Sequence, residues 1–68
     1  MEMSLRIDRR TFERNDDALP PQLRTGLRVF EAYAHGRRVG ARHAPGGHAD
    51  LVLARLFRRA DVERVEVR

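Results

Sequence analysis

The absence of cysteine from a chain of only 68 residues restricts how this protein can be stabilised. Disulfides and thiolate-bound metals, which support many very small domains, are both excluded. A chain of this length predicts a single domain, residues 1–68, that buries only about 60% of the surface exposed by its unfolded form. A partner subunit is the remaining way to bury more surface. The sequence therefore predicts a homo-oligomer, most simply a dimer formed by pairing of a terminal strand across a two-fold axis.

Hydrophobic periodicity divides the chain into strand-like and helix-like segments. Alternating apolar residues predict strands over 3–9 and 62–67, and a short strand over 37–43. Apolar residues at helical spacing predict helices over 21–35 and 49–60. This order, β-α-(β)-α-β, predicts an α/β (α+β) fold: a small two-layer sandwich with two helices on one face of a two- to three-stranded sheet.

The helix over 21–35 is predicted from the separation of its apolar and polar side chains. As a strand, this segment would carry a charged residue on each face. As a helix, it has an apolar stripe and an opposite polar face, and Gly36 suits the left-handed position that ends a helix. The stripe consists of Leu23, Leu27, Phe30 and Ala34, and the polar face of Arg24, Arg28, Glu31 and His35.

The charge of the chain comes from one kind of basic residue. All 14 basic residues are arginines, and with ten acidic residues they give a net charge of +4. The planar guanidinium matches phosphate and carboxylate groups, so this composition favours contact with nucleic acid or an acidic protein partner. The densest cluster, Arg55, Arg58 and Arg59, lies on the second predicted helix. The alternative is a solvated face whose arginines pair with nearby acids.

The segment RHAPGGHAD, residues 42–50, combines arginine, histidine and glycine just before that helix. Backbone N–H groups of Gly46 and Gly47 at a helix start would suit an anion. The competing interpretation is a type II turn around Pro45-Gly46, followed by Asp50 in the first helical turn. The predicted binding residues of the chain are Arg37, Arg38, Arg42, Gly46, Gly47, Arg55, Arg58 and Arg59.

The histidines of this segment could also carry chemistry. His43 and His48, with Asp50 or His35, have side chains that ligate metals, but a His-x4-His spacing in a loop is not typical of a metal site. The sequence therefore predicts no metal and no cofactor. A pair of histidines can also act as acid and base on RNA, with arginines stabilising the charge of the transition state.

Residues 36–62, GRRVGARHAPGGHADLVLARLFRRADV, resemble the second half of the HicA-type mRNA-interferase toxins. In that family a strand, a histidine, a Gly-rich turn and a helix follow one another. The resemblance covers less than half of the chain, and the N-terminal part departs from it, because a predicted strand stands where that family has a helix. The resemblance implies a ribonuclease with His43 in the catalytic role.

Three functions remain open from the sequence. The first is a small non-catalytic binding module whose arginine-rich surface contacts nucleic acid or an acidic protein. The second is a compact metal-independent histidine ribonuclease, with His43 and His48 as candidate catalytic residues. The third is a structural or assembly protein that acts through homo-oligomerisation. No apolar run reaches the ~20 residues of a membrane span and no signal-peptide core is present, so the sequence predicts a cytoplasmic protein without membrane contact.

Overall fold

One four-stranded antiparallel sheet forms the framework of the computed structural model, which describes residues 4–14 and 19–68. The strands lie in the order β1-β4-β2-β3. They are β1 (Leu5–Asp8), β2 (Leu27–Ala34), β3 (Arg37–Pro45) and β4 (Arg64–Val67). The helices are α1 (Arg9–Glu13) and α2 (Ala49–Phe57), with 3-10 turns at Pro21–Leu23 and Gly46–His48.

The α+β class is confirmed, but the predicted arrangement within it is only partly right. β1 and β4 lie within segments predicted to be strands, β3 covers the predicted strand over 37–43 and continues to Pro45, and α2 occupies most of the second predicted helix. The sheet has a fourth strand, however, and α2 is the only long helix among the described residues. Met3 of the first predicted strand, and residues 15–18 of the connection that follows it, lie outside the described residues.

The predicted helix over 21–35 is wrong, because this segment forms a short 3-10 turn and then β2. Phe30, Ala32 and Ala34 alternate along β2 and are buried against the core. Glu31 lies on the opposite face and is only 5% exposed. Burial of a carboxylate in a strand argued against β2, since an unpaired buried charge is costly.

Two arginines remove that cost. The Glu31 carboxylate accepts a hydrogen bond from Nη1 of Arg38 at 2.8 Å and lies 3.0 Å from Nη2 of Arg68. Arg28, the charged residue on the other face, donates from its guanidinium to the backbone oxygens of Thr25 and Gln22, each at 2.8 Å. Both charged side chains of β2 therefore have hydrogen-bonding partners, which the spacing of apolar residues along the segment does not reveal.

A tight hairpin joins β2 to β3. His35 has φ 54° and Gly36 has φ 75°, and consecutive positive φ values are typical of a type I′ hairpin turn. Gly36 is thus left-handed, as predicted, but it turns a hairpin rather than ending a helix.

The core lies between one face of the sheet and α2. Its buried residues include Ile7, Leu23, Phe30, Leu53, Phe57, Val62, Val65 and Val67. Val65 and Val67 point inward as predicted, but the C-terminal strand β4 lies between β1 and β2 and is not an edge. The edges of the described sheet are β1 and β3, and β3 borders the candidate site.

Candidate binding cleft

A cleft of about 220 Å³ lies between the edge strand β3 and helix α2. It brings together four of the residues singled out from the sequence: Arg42, His43, His48 and Arg55. Its other lining residues, Ala44, Leu51 and Val52, are apolar. The cleft therefore combines cationic and imidazole groups with an apolar surface.

The register of β3 determines which of its side chains face α2. Arg42 pairs with Phe30 of β2, whose side chain is in the core, so Arg42 and its second neighbour Ala44 project from the α2 side of the sheet. On α2, Leu51 and Arg55 are one helical turn apart and share a flank. Leu51 is 66% exposed, so its apolar side chain is available for contact.

The two arginines of the cleft have no anionic partner in the described part of the chain. Of the predicted binding arginines, Arg38 pairs with Glu31, and Arg59 pairs with Asp61 at 2.7 Å. The hydrogen bond to Glu31 raises the pKa of Arg38. The other four, Arg37, Arg42, Arg55 and Arg58, make no ion pair or side-chain hydrogen bond with a described residue. Four of these six arginines are thus without a partner among the described residues, and two of the four border one cleft.

The remaining predicted arginines lie apart from this cleft. Arg37 and Arg38 start β3 at its hairpin end. Arg58 and Arg59 follow the C-terminal end of α2. The predicted binding arginines are therefore divided among three places on the surface.

Gly46 serves the fold instead of offering a free donor. Its N–H donates to the backbone oxygen of Gly26 at 2.7 Å. A Cβ at this position would collide with the backbone oxygen of Leu23 and would lie 2.8 Å from the carbonyl carbon of Arg24. The predicted type II turn is wrong, because Gly46 does not have the positive φ that this turn requires. Gly47 is exposed.

The two histidines are exposed, and neither imidazole makes a hydrogen bond with a described residue. His43 pairs with Val29 on β2, so strand alternation directs its imidazole to the sheet face opposite α2, although the residue is one of those that line the cleft. A catalytic histidine is usually oriented by a third group, and neither imidazole has one among the described residues. Residues 4–14 and 19–68 also contain no cluster of three His, Asp or Glu residues that could hold a metal ion.

The outer backbone of β3 is the part of the site that side-chain reasoning missed. Val29 exchanges both of its backbone hydrogen bonds with Arg68, at 3.0 and 2.9 Å. Because the N–H and C=O of one strand residue point to the same side, Val29 has none left for His43, its partner on β3. The backbone groups of His43 therefore point away from the sheet. One sequence signal was available: Pro45 lies two residues on, in phase with His43, and strand prolines are confined to edges.

Comparison with known proteins gives no relative from which a function could be transferred. The chain matches no protein-family model, no curated protein and no solved structure. In the described part of the chain, no helix has the length and apolar character needed to cross a membrane.

Proposed function

We propose that this protein is a small non-catalytic binding module that holds an anionic partner in the cleft between β3 and α2. The observation that carries the proposal is the position of Arg42 and Arg55, two unpaired arginines on either side of one concave surface. A guanidinium without an internal partner can meet carboxylate or phosphate with two parallel hydrogen bonds.

The apolar part of the cleft adds a second contact of a different kind. Leu51 is exposed beside Arg55, and Val52 and Ala44 form the surface behind it. Exposed apolar groups rimmed by charge are typical of protein interaction sites. A partner that supplies both a negative group and an apolar group would use the whole cleft.

The ribonuclease alternative receives no comparable support. Its candidate residues, His43 and His48, have no orienting hydrogen bond among the described residues, and alternation directs the His43 imidazole to the far face of the sheet. Binding needs no such pair, so the arrangement favours recognition over catalysis.

The test compares two double variants that change the net charge equally. Arg42→Glu/Arg55→Glu alters the cleft, while Arg37→Glu/Arg58→Glu alters unpaired arginines elsewhere. Binding of a fluorescent acidic peptide and of a single-stranded RNA is measured by anisotropy at about 50 mM salt, where charge contacts are weakly screened. We expect the cleft variant to lose at least tenfold in affinity and the control less than threefold. Equal losses, or no binding of either probe to the wild type, would overturn the proposal.

A further inference from the structure

We infer that the partner is an acidic protein segment that binds in extended conformation, as an added antiparallel strand along the outer edge of β3. Alternate side chains of this segment would enter the cleft. The inference rests on the proposed function, and it adds the chemical class of the partner and its mode of binding.

β3 has unused hydrogen-bonding capacity along its outer edge. The backbone N–H and C=O of His43 point outward, because Val29 opposite bonds to Arg68 instead. Ala41 is two residues away and therefore points the same way. These alternating donors and acceptors complement the edge of another polypeptide strand. A nucleic acid phosphate only accepts hydrogen bonds, so a row of phosphates would leave the outward C=O groups of β3 without donors.

Helix α2 lies beside that edge, across the cleft. Arg42 and Ala44 project toward the α2 side of β3. They line the cleft together with Leu51 and Arg55, so the cleft borders the β3 edge of the sheet. A strand added there would lie under the exposed flank of α2. Its side chains opposite Arg42 and Ala44 would enter the cleft, and those opposite Ala41 and His43 would lie on the other face.

The charge of β3 favours an acidic segment over a second copy of this chain as the partner. β3, RRVGARHAP, contains three arginines, one histidine and no acid. Two copies paired edge to edge along β3 would place the arginines of one copy near those of the other, and like charges across strands are destabilising. An acidic strand would instead place carboxylates near Arg42 and Arg55.

The edge of β3, the cleft and the charge of β3 together determine the sequence of the probe peptide. Cleft-facing positions should carry glutamate, valine and glutamate, so that an apolar side chain meets Leu51 between two carboxylates. Serines between them occupy the positions opposite Ala41 and His43. The probe is a fluorescein-labelled peptide, Ser-Glu-Ser-Val-Ser-Glu-Ser.

Backbone methylation of the probe tests the strand directly. In antiparallel pairing, the amides that bond to Ala41 and His43 belong to the serines, whereas those of the glutamates and valine point away. We expect N-methylation of the serine amides to reduce affinity at least tenfold, and methylation of the other amides to change it less than threefold. Equal effects of the two methylation patterns would overturn the inference, because the charge is the same in both peptides.

A pair of protein variants at one position gives an independent test. His43→Pro removes the outward N–H, while His43→Ala removes only the imidazole. Proline is tolerated where the N–H faces solvent, as Pro45 already shows two residues away. We expect at least a tenfold loss of peptide affinity in His43→Pro and less than threefold in His43→Ala, with circular dichroism confirming the fold. Similar affinities of the two folded variants would contradict strand addition.

Amide hydrogen exchange tests strand addition in the unmodified protein, so this test does not require His43→Pro to fold. Saturating peptide should slow exchange at Ala41 and His43 at least tenfold while leaving the Arg42 amide, which faces β2, unchanged. Unchanged exchange at both outward amides overturns strand addition. If RNA binds in a manner dependent on Arg42 and Arg55 but the peptide does not bind, strand addition fails and the proposed function stands. If neither probe binds, both fail.

Discussion

Among single residues, Gly46 shows how closely the turn before α2 packs on the chain before β2. A Cβ at Gly46 would collide with the Leu23 oxygen and lie 2.9 Å from the Thr25 nitrogen, whereas a Cβ at Gly47 would lie 3.7 Å from its nearest neighbour. We expect Gly46→Ala to lower the free energy of unfolding by about 1–3 kcal/mol through this overlap. Gly47→Ala, the matched control, should change it by less than about 0.5 kcal/mol. Urea denaturation measures both, and equal effects would contradict the close approach.

The carboxyl of Asp61 makes the stability of the fold depend on pH. The hydrogen bond from Arg59 Nε, at 2.7 Å, lowers the pKa of the Asp61 carboxyl. A lowered folded-state pKa contributes stability that is complete above the ordinary carboxyl pKa of about 4 and is lost as the pH falls through the lowered value. The difference in thermal midpoint between wild type and Asp61→Asn should therefore shrink from pH 7 to pH 2.

NMR titration of the Asp61 carboxyl checks the cause of that pH effect. Its midpoint should lie below the ordinary value in the wild type and should rise when Arg59→Ala removes the donor. A carboxyl that titrates at its ordinary value in the wild type would contradict the role of this pair.

At the scale of elements, Arg9 joins the start of α1 to the segment that follows α2. Its guanidinium donates to the backbone oxygens of Val62 at 2.9 Å, Phe57 at 3.0 Å and Arg59 at 2.8 Å. The Phe57 oxygen belongs to the last residue of α2, where helix carbonyls lack partners within the helix. Arg9 therefore replaces the missing C-terminal hydrogen bonds with charge-assisted ones.

Arg9→Ala should lower the free energy of unfolding by about 2 kcal/mol, which lies within the range of about 1.5–3 kcal/mol for a hydrogen bond to a charged group. Arg9→Lys should restore less than half of the loss, because a single ammonium cannot reach three carbonyls in the planar arrangement of a guanidinium. Arg10→Ala, at the exposed neighbouring position, is the control and should have little effect. Full recovery by lysine would show that charge alone, without the fork geometry, accounts for the contact.

The same elements show which parts of the fold the sequence predicts. α2 was predictable because Val52, Leu53 and Phe57 recur at helical spacing within one segment and all face the core. β2 was not, because the partners that neutralise Glu31 come from β3 and the C-terminal residue, Arg68. A local pattern records the cost of a buried charge but not the distant groups that offset it.

The candidate site divides in the same way. Arg42 and Arg55 were named from the sequence, but their meeting in one cleft depends on how α2 packs beside β3. The pairing of Arg59 with Asp61 was foreseeable, since the two residues are two positions apart. The outward backbone of His43 depends on the order of strands in the sheet, which side-chain patterns do not contain.

At the scale of the whole molecule, most of the arginine charge is used internally. Arg6, Arg9, Arg24, Arg28, Arg38, Arg59, Arg64 and Arg68 all bond to carboxylates or backbone oxygens within the described residues. The net charge of +4 is therefore a poor guide to where a partner binds. The position of an arginine is more informative than the total charge, because a guanidinium already paired with a carboxylate has part of its charge neutralised.

The oligomeric state predicted from the sequence can be reconsidered in the light of the sheet. A dimer was expected because a short chain without cysteine buries little surface and has no disulfide or thiolate-bound metal to stabilise it, but four strands and α2 enclose a core within one chain. Of the described edges, β1 is only four residues long, and β3 carries arginines that oppose self-pairing. We now expect a monomer of 7.9 kDa in the absence of a partner.

Size-exclusion chromatography with light scattering measures this mass directly, at micromolar concentration and physiological salt. A mass near 7.9 kDa that persists with dilution is the expected result, and the acidic peptide should add one copy of its own mass per chain. A mass of twice this value would show that the sequence-based expectation of a dimer is right. The His43→Pro variant then identifies the dimer interface. If this variant no longer forms a dimer, the two copies meet along β3, where the partner segment is expected to bind. If it still forms a dimer, the copies meet elsewhere and the β3 edge is free for the partner segment.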